Sequence, residues 1–287
     1  MAGWTDGYWW SKDGIRLHYR DYPGDPAKPP ILCIPGLTRN PRDFEQLAAD
    51  LAGEWRVICV SLRGRGESGY ARDPMSYVPL VYLQDLEALF ETLELSRFVA
   101  VGTSLGGILT MLLAGTGGDR IAGAVLNDIG PVLEGGGLAR IRGYVGKNSS
   151  FPTWLHAARA IAETNQAAFP RYEIGDWLTM AKRLCKLTPS GRVVFDYDMN
   201  IAEPMRVPTE GALDMWPAFA ALGAVPLLLV RGGLSDLLST ETAAAMVARH
   251  PGAEMVTVAE MGHAPTLDEP EVRAAIDRLL AQVAAAG

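Results

Sequence analysis

Short apolar runs recur along the chain, and segments with helical spacing of apolar residues separate most of them. The runs are rich in β-branched residues and have no polar alternation, which is typical of strands buried on both faces. They are Ile31–Ile34, Val57–Val60, Phe98–Val101, Ala122–Leu126, Leu227–Val230 and Glu254–Val258. Repeated alternation of strand and helix predicts an α/β fold with a mostly parallel sheet, covered by helices on both faces.

The segments between the runs carry apolar residues every three or four positions. Residues 44–51, 83–93, 108–113 and 272–283 are therefore predicted to be helical, and Pro270 suits the first turn of the last helix. Ahead of the first run, Ile15, Leu17 and Tyr19 alternate with polar residues, which predicts an antiparallel hairpin at the edge of the sheet. With that hairpin the sheet is expected to contain about eight strands.

The alternation breaks between the fourth and fifth runs, where a long stretch shows helix-like segments and no clear buried strand. We expect residues 132–213 to form a helical cap inserted after the sixth strand of the sheet, with residues 1–131 and 214–287 forming the core domain. Ligands of open α/β sheets bind at the carboxyl ends of the strands, so the cap is expected to cover that edge.

Composition narrows the classes of partner. The 287 residues carry a net charge of −7, and no cluster of lysine or arginine with interleaved aromatics is present, so we expect no nucleic-acid partner and instead a small molecule. Neither a signal-peptide pattern nor a membrane-length apolar segment is found, which favours a cytoplasmic protein without membrane contact. Cys33, Cys59 and Cys185 are far apart and are expected to be buried thiols.

The most informative motif is a serine between glycines at the end of the third run. Gly102, Thr103, Ser104, Leu105 and Gly106 stand between a predicted strand and a predicted helix, the arrangement of a nucleophile elbow. A Cβ at either glycine is expected to collide with the neighbouring strand or helix. The Ser104 hydroxyl would then lie at a helix N-terminus, where the Leu105 amide can donate to an oxyanion.

A serine nucleophile needs a base and a carboxylate that orients the base. Of the four histidines, His263 is the predicted base because it follows the last run at the same edge of the sheet as Ser104. Asp236, in the loop after the fifth run, is the predicted acid, and Asp128, after the fourth run, is the alternative. The losing aspartate is expected to cap a loop or to be a satisfied buried carboxylate.

A second glycine motif has a different interpretation. Residues 64–69 read G-x-G-x-x-G after a strand, as in dinucleotide-binding sites, but Asp73 and Pro74 follow where a helix would have to begin. We therefore expect no nucleotide cofactor. Because His, Asp and Glu show no ligand spacing, we expect no metal either.

These motifs, in this order, resemble the α/β-hydrolase superfamily, in particular its lidded, cofactor-free esterases, enol-lactonases and carbon–carbon hydrolases. The resemblance extends over nearly the whole chain and rests on residues 102–107, 63–68, 231–236 and 262–263. It implies a Ser104, Asp236 and His263 triad with an oxyanion hole formed by the amides of Leu37 and Leu105. The chain has Pro35 where the family usually has a histidine, so the usual bracing of the oxyanion loop is lost.

The resemblance implies a serine hydrolase of a small carboxylic ester or lactone. Two alternatives stay open: a hydrolase of carbon–carbon bonds in vinylogous diketones, and a ligand receptor built on the same scaffold. The predicted cap has ten Lys and Arg against eight Asp and Glu, which favours a carboxylate-bearing substrate or simply reflects a solvated face. Residues expected to wall the substrate pocket are Tyr144, Trp154, Trp177 and Trp216. The oligomeric state and the substrate itself are not determined by the sequence.

Overall fold

A computed structural model describes residues 3–207 and 214–286, which contain a mostly parallel sheet of eight strands and a second sheet of three. The strands are β1 (Thr5–Trp10), β2 (Arg16–Tyr22), β3 (Ile31–Ile34), β4 (Val57–Ser61), β5 (Phe98–Thr103), β6 (Ile121–Asn127), β7 (Ser150–Phe151), β8 (Cys185–Leu187), β9 (Val193–Phe195), β10 (Leu227–Gly232) and β11 (Ala253–Val258). The large sheet has the order β1-β2-β4-β3-β5-β6-β10-β11. Within the large sheet, only β1 with β2 and β2 with β4 pair antiparallel, so the predicted fold class and the N-terminal hairpin are confirmed.

Helices follow most strands of the large sheet. They are α1 (Glu45–Leu51), α2 (Pro79–Leu93), α3 (Leu105–Gly117), α4 (Gly135–Tyr144), α5 (Trp154–Asn165), α6 (Ile174–Leu184), α7 (Glu203–Arg206), α8 (Trp216–Ala220), α9 (Thr240–Arg249) and α10 (Pro270–Ala286). Proline at the first position of α2 and α10 presets the helical φ where no amide donor is needed. No helix in residues 3–207 or 214–286 combines the length and apolar character that crossing a membrane requires.

The sheet is buried on both faces, as its uninterrupted apolar runs predict. Leu32 and Ile34 of β3 point into one apolar cluster, and Ile31 and Cys33 of the same strand point into the other. Successive side chains of a strand point to opposite faces of the sheet. A strand that is buried on both faces must therefore be apolar at every position. The three cysteines are buried free thiols, as expected.

The segment inserted between β6 and β10, described here for residues 132–207, is not purely helical. Helices α4 to α7 are joined by the small antiparallel sheet β7-β9-β8, and α5 and α6 pack on it around a separate apolar cluster that includes Trp177 and Phe169. Strands of two or three residues are too short to show an alternating pattern, which is why the sequence predicted helices only. The expected boundary at residue 213 lies outside the described residues.

The inserted segment joins the sheet at the carboxyl ends of its strands. The amide of Glu134 donates to the Leu237 carbonyl over 3.0 Å, and the amide of Gly137 donates to the Asp236 carbonyl over 3.0 Å. Farther along, the amide of Gly262 donates to the carbonyl of Ala168. These contacts hold the start of α4 and the end of α5 against the loops that follow β10 and β11.

Candidate active site

Ser104 occupies the turn between β5 and α3 in a conformation that few residues adopt. Its φ is 52°, in the left-handed region, and its amide donates to the Asn127 carbonyl of the neighbouring strand over 3.0 Å. Such a conformation is costly for a residue with a Cβ, so the surrounding contacts must hold it. The strained turn places the side chain at the N-terminus of α3, as the elbow motif predicts.

Two glycines allow α3 to approach β5 and the neighbouring strand β3 at this turn. A Cβ on Gly102 would lie 2.5 Å from the carbonyl carbon of Gly106, and a Cβ on Gly106 would lie 1.9 Å from the carbonyl oxygen of Ile34. These contacts are with backbone atoms, which cannot rotate away. The predicted steric reason for both glycines is confirmed.

Ser104, His263 and Asp128 form a continuous hydrogen-bonded chain. His263 Nε2 lies 2.8 Å from Ser104 Oγ, and His263 Nδ1 lies 2.7 Å from Asp128 Oδ2. Because an ionised carboxylate only accepts, Nδ1 carries the proton and Nε2 is left to accept from the serine hydroxyl. The Asp128 side chain is fully buried and that of His263 is 9% exposed, so little water competes with these bonds.

Asp128 lies on the turn directly after β6, and the loop after β10 surrounds its carboxylate. Its Oδ1 accepts the Gly232 amide over 2.8 Å, and its Oδ2 also accepts the Ser235 hydroxyl over 2.6 Å. The φ of Asp128 is 54°, a left-handed conformation that aspartate tolerates better than most residues. The loop after β10, which the sequence predicts to contain the acid, instead supplies hydrogen-bond donors to the Asp128 carboxylate.

Asp236 is not the partner of His263, which corrects the sequence prediction in favour of its alternative. The Asp236 carboxylate is held by Arg140 of α4, with Nε to Oδ2 at 2.5 Å and Nη2 to Oδ1 at 2.8 Å. These hydrogen bonds from Arg140 lower the pKa of Asp236. The physical reason for the error is that β6 and β10 are neighbouring parallel strands, so both aspartates reach the same edge of the sheet.

Leu37 and Leu105, the predicted oxyanion donors, lie on either side of the elbow. Leu105 begins α3, and Leu37 follows Gly36, whose added Cβ would lie 3.6 Å from the Ser104 Cβ. Among the described residues, neither amide donates a hydrogen bond to another protein group. Both donors are therefore free to bind a ligand oxygen.

Arg65 braces the loop that carries Leu37. The Arg39 amide donates to the Gly36 carbonyl over 3.1 Å, which closes a β-turn with Leu37 and Thr38 at its centre. Arg65 Nε donates to the Leu37 carbonyl over 2.7 Å, and the Arg65 side chain is completely buried. Since the central peptide of a β-turn can point either way, this bond fixes its orientation. Arg65 thus holds the loop that lacks the family's usual histidine.

A cavity of about 550 Å³ lies over Ser104 and His263, between the sheet edge and the inserted segment. Tyr144 lines it, as predicted, and so do Arg39 and Arg140. Burial raises the pKa of Tyr144, while the positive charges of Arg140 and Arg39 act in the opposite direction. The apolar part of the wall comes from the inserted segment: Ile141, Phe151, Ile161, Phe169, Met180, Leu184 and Phe195.

The three predicted pocket tryptophans do not line this cavity. Trp177 is buried in the apolar cluster of the inserted segment, and Trp154 packs against the same cluster. Trp216 lies on α8, where Arg249 stacks over its ring with Cζ 3.8 Å from the centroid. Large aromatic rings are the most effective fillers of a small apolar cluster, so packing accounts for all three.

Sequence reasoning missed the arginines of the site. Arg39 lies two residues after Leu37, and Arg140 lies one helical turn before Tyr144, so both are close in sequence to residues that were singled out. Arg65 belongs to the 63–68 motif, which indicates the family but does not reveal a contact with the Leu37 carbonyl. Within the described residues, no group of three or more His, Cys, Asp or Glu side chains is placed to hold a metal ion.

The sheet order, the serine on the turn after β5 and the histidine after β11 together define an α/β hydrolase. Comparison with known proteins agrees, because the model of the Alpha/beta hydrolase family matches residues 31–276. The chain belongs to this family and is a hydrolase.

Two of the similar proteins match most of the chain, and a third matches about a third of it. A 3-hydroxybutyrate-oligomer hydrolase of Cupriavidus necator is 36% identical over 264 residues, which is 89% of each chain. The crystal structure of an alpha/beta hydrolase from Novosphingobium aromaticivorans is 58% identical, with a TM-score of 0.95 over 98% of this chain and 99% of that one. The esterase YbfF of Escherichia coli is 33% identical over 103 residues, 36% of this chain and 39% of the esterase.

Proposed function

We propose that the protein hydrolyses a small carboxylic ester or lactone through a covalent acyl-enzyme on Ser104. The observation that carries this proposal is the hydrogen-bonded chain from Ser104 Oγ through His263 to Asp128, with Ser104 and His263 lining a cavity of about 550 Å³. A serine hydroxyl is a weak nucleophile at neutral pH. An imidazole that accepts its proton during the attack makes the oxygen a stronger nucleophile.

The first half of the reaction forms the acyl-enzyme. Ser104 Oγ attacks the ester carbonyl carbon while His263 Nε2 takes the hydroxyl proton, and Asp128 stabilises the imidazolium that results. The amides of Leu37 and Leu105 donate to the oxyanion of the tetrahedral intermediate. Each such donor contributes on the order of 3 kcal/mol of transition-state stabilisation. His263 then gives its proton to the leaving alkoxide.

The second half repeats the chemistry with water. His263 takes a proton from a water molecule as the water attacks the acyl carbon, and it returns the proton to Ser104 as the acid leaves. Both steps use the same two oxyanion donors. No group outside the described site is needed to balance the protons.

A linear ester of a hydroxy acid is the substrate class that the comparisons favour. The relative that covers 89% of both chains is named as a hydrolase of 3-hydroxybutyrate oligomers, which are linear esters with small apolar side groups. A cavity of about 550 Å³ with an apolar wall is of suitable size for a short oligomer.

The test is turnover of the 3-hydroxybutyrate dimer and of a simple aryl ester by the wild-type protein and the Ser104→Ala variant. We expect many turnovers by the wild type and a loss of several orders of magnitude in kcat for the variant, with unchanged thermal unfolding. Cleavage of a vinylogous diketone without ester turnover would instead favour the carbon–carbon hydrolase. Tight ligand binding without turnover would favour the receptor.

A further inference from the structure

The cavity over Ser104 contains a cluster of hydrogen-bond donors that the proposed hydrolysis does not use. Arg140 and Tyr144 lie one turn apart on α4, and Arg39 comes from the oxyanion loop; all three line the cavity. Both arginines lie close enough for their charges to act on the Tyr144 hydroxyl. Three side chains with N–H or O–H donors therefore face one cavity.

An aspartate binds one edge of the guanidinium group of Arg39 and of Arg140, and N–H donors on the other edge stay available. Asp43 binds Nε and Nη2 of Arg39 at 2.6 and 2.8 Å, and Asp236 binds the corresponding atoms of Arg140. In the described part of the chain, Nη1 of neither guanidinium group donates to a carboxylate or carbonyl oxygen. A guanidinium has five donor hydrogens in a rigid plane, so a carboxylate on one edge leaves the other edge available.

Most charged side chains at the cavity belong to ion pairs. Besides Arg39 and Arg140, those on its lining are Asp43, Lys147, Glu163 and Arg183. Asp43 is already bound by Arg39, and Arg183 is bound by Asp268 over 2.7 Å. With Asp236 and Asp268 counted as partners of Arg140 and Arg183, four cations meet four anions, so an anion would be held by directed N–H donors and not by an excess of positive charge.

We propose that Arg140, Tyr144 and Arg39 form a subsite for a free carboxylate of the substrate, so that the enzyme prefers esters whose acid end is unblocked. This subsite depends on the proposed ester hydrolysis. It adds that the enzyme recognises the carboxylate end of its substrate. In a linear oligomer of a hydroxy acid, one monomer unit separates the terminal carboxylate from the last ester bond. Because Ser104 lines the same cavity as Arg140 and Tyr144, a carboxylate held by α4 would lie in the cavity that contains the proposed nucleophile.

The experiment compares the 3-hydroxybutyrate dimer as the free acid with its methyl ester, measuring kcat/KM for cleavage of the internal ester bond. The two compounds differ by one charge and one methyl group. The variants are Arg140→Gln and the double variant Arg140→Gln with Asp236→Asn, which removes both charges of the pair. Arg142→Gln is the matched control, because Arg142 is an exposed residue of α4 that does not line the cavity.

We expect the wild type and Arg142→Gln to prefer the free acid by about 10-fold to 100-fold, since a hydrogen bond to a charged group contributes that much. Both Arg140 variants are expected to lose the preference through a higher KM for the acid, with turnover of the methyl ester retained. Equal kcat/KM for both compounds in the wild type would overturn the subsite and leave the ester hydrolase intact. If the wild type cleaves none of the three esters, that is, neither form of the dimer nor an aryl ester, the proposed function is overturned, and the subsite with it.

Discussion

The carboxylate bound to His263 decides which imidazole nitrogen carries the proton. Asp128 accepts from Nδ1 over 2.7 Å, so Nε2 is left to accept from Ser104. In Asp128→Asn, the amide group can donate to Nδ1 and stabilise the wrong tautomer. We expect kcat for an ester to fall by about 10⁴-fold, as when the acid of a serine triad becomes an amide.

Asp236→Asn is the control for this experiment, because Asp236 reaches the same sheet edge but binds Arg140. Its kcat for an uncharged ester is expected to stay within a few-fold of the wild-type value. Steady-state kinetics of the two variants, purified side by side, decide between the carboxylates. A large loss in Asp236→Asn with a small one in Asp128→Asn would contradict the assignment.

Arg65 is expected to act on catalysis through the Leu37 carbonyl. In Arg65→Met the central peptide of the turn loses its only side-chain donor in the described structure, and the oxyanion loop becomes less ordered. We expect kcat to fall by roughly 10-fold to 100-fold with little change in KM, since a misplaced oxyanion donor affects the transition state more than the bound substrate.

Thermal unfolding of the same Arg65→Met sample separates this role from a purely structural one. A buried cation that only stabilises the fold would change the unfolding temperature and leave kcat intact at temperatures where the protein is folded. That result would mean that Arg65 stabilises the fold and has no role in catalysis.

The side chains of the site could be predicted only where a local pattern identifies them. Ser104 stands in an elbow motif, and His263 follows the last strand, so the structure brings both together as predicted. The choice between Asp128 and Asp236 depends on Arg140, which lies 96 residues from Asp236 in the chain. No local pattern contains a contact of that length.

Helix α3 offers a direct test of the close approach that shapes the elbow. In Gly106→Ala the new Cβ would meet the Ile34 carbonyl oxygen at 1.9 Å, so β3 or α3 must move. We expect the free energy of unfolding to fall by about 1–3 kcal/mol or more, measured by denaturant titration. Ester turnover should fall with it, because the elbow is displaced.

Gly115→Ala is the matched control in the same helix, since an added Cβ there meets no atom within 4 Å. It is expected to stabilise the protein by about 0.5–1 kcal/mol, the usual gain from replacing a glycine inside a helix. Equal stability of Gly106→Ala and the wild type would mean that the elbow is less tightly packed than described.

The elements of the large sheet could be predicted because each one carries its own signal. The run Ile31–Ile34 coincides with β3, and Leu227–Val230 lies within β10. The small sheet could not be predicted, because β7 has two residues and its partner β9 lies more than forty residues away in sequence. Its pairing is a tertiary contact, which periodicity does not reveal.

In the molecule as a whole, Ser104 lies between the large sheet and the inserted segment, which shares one apolar cluster with the sheet and has a second of its own. The sheet supplies Ser104, Asp128 and His263 from its carboxyl edge, and the inserted segment supplies most of the wall that faces them. Exclusion of water from such a cavity strengthens the hydrogen bonds to the developing oxyanion. The arrangement matches a hydrolase whose chemistry is set by the sheet and whose substrate choice is set by the inserted segment.

The most direct way to test whether Ser104 is the nucleophile is to measure the intact mass of the protein after reaction with a fluorophosphonate. If Ser104 is the nucleophile, the protein gains one phosphonyl group per chain, located on Ser104 by peptide mapping, and ester turnover falls in proportion to labelling. Ser104→Ala should gain no mass and show no turnover. Labelling at another residue, or ester turnover by Ser104→Ala at the wild-type rate, would contradict the assignment of Ser104 as the nucleophile.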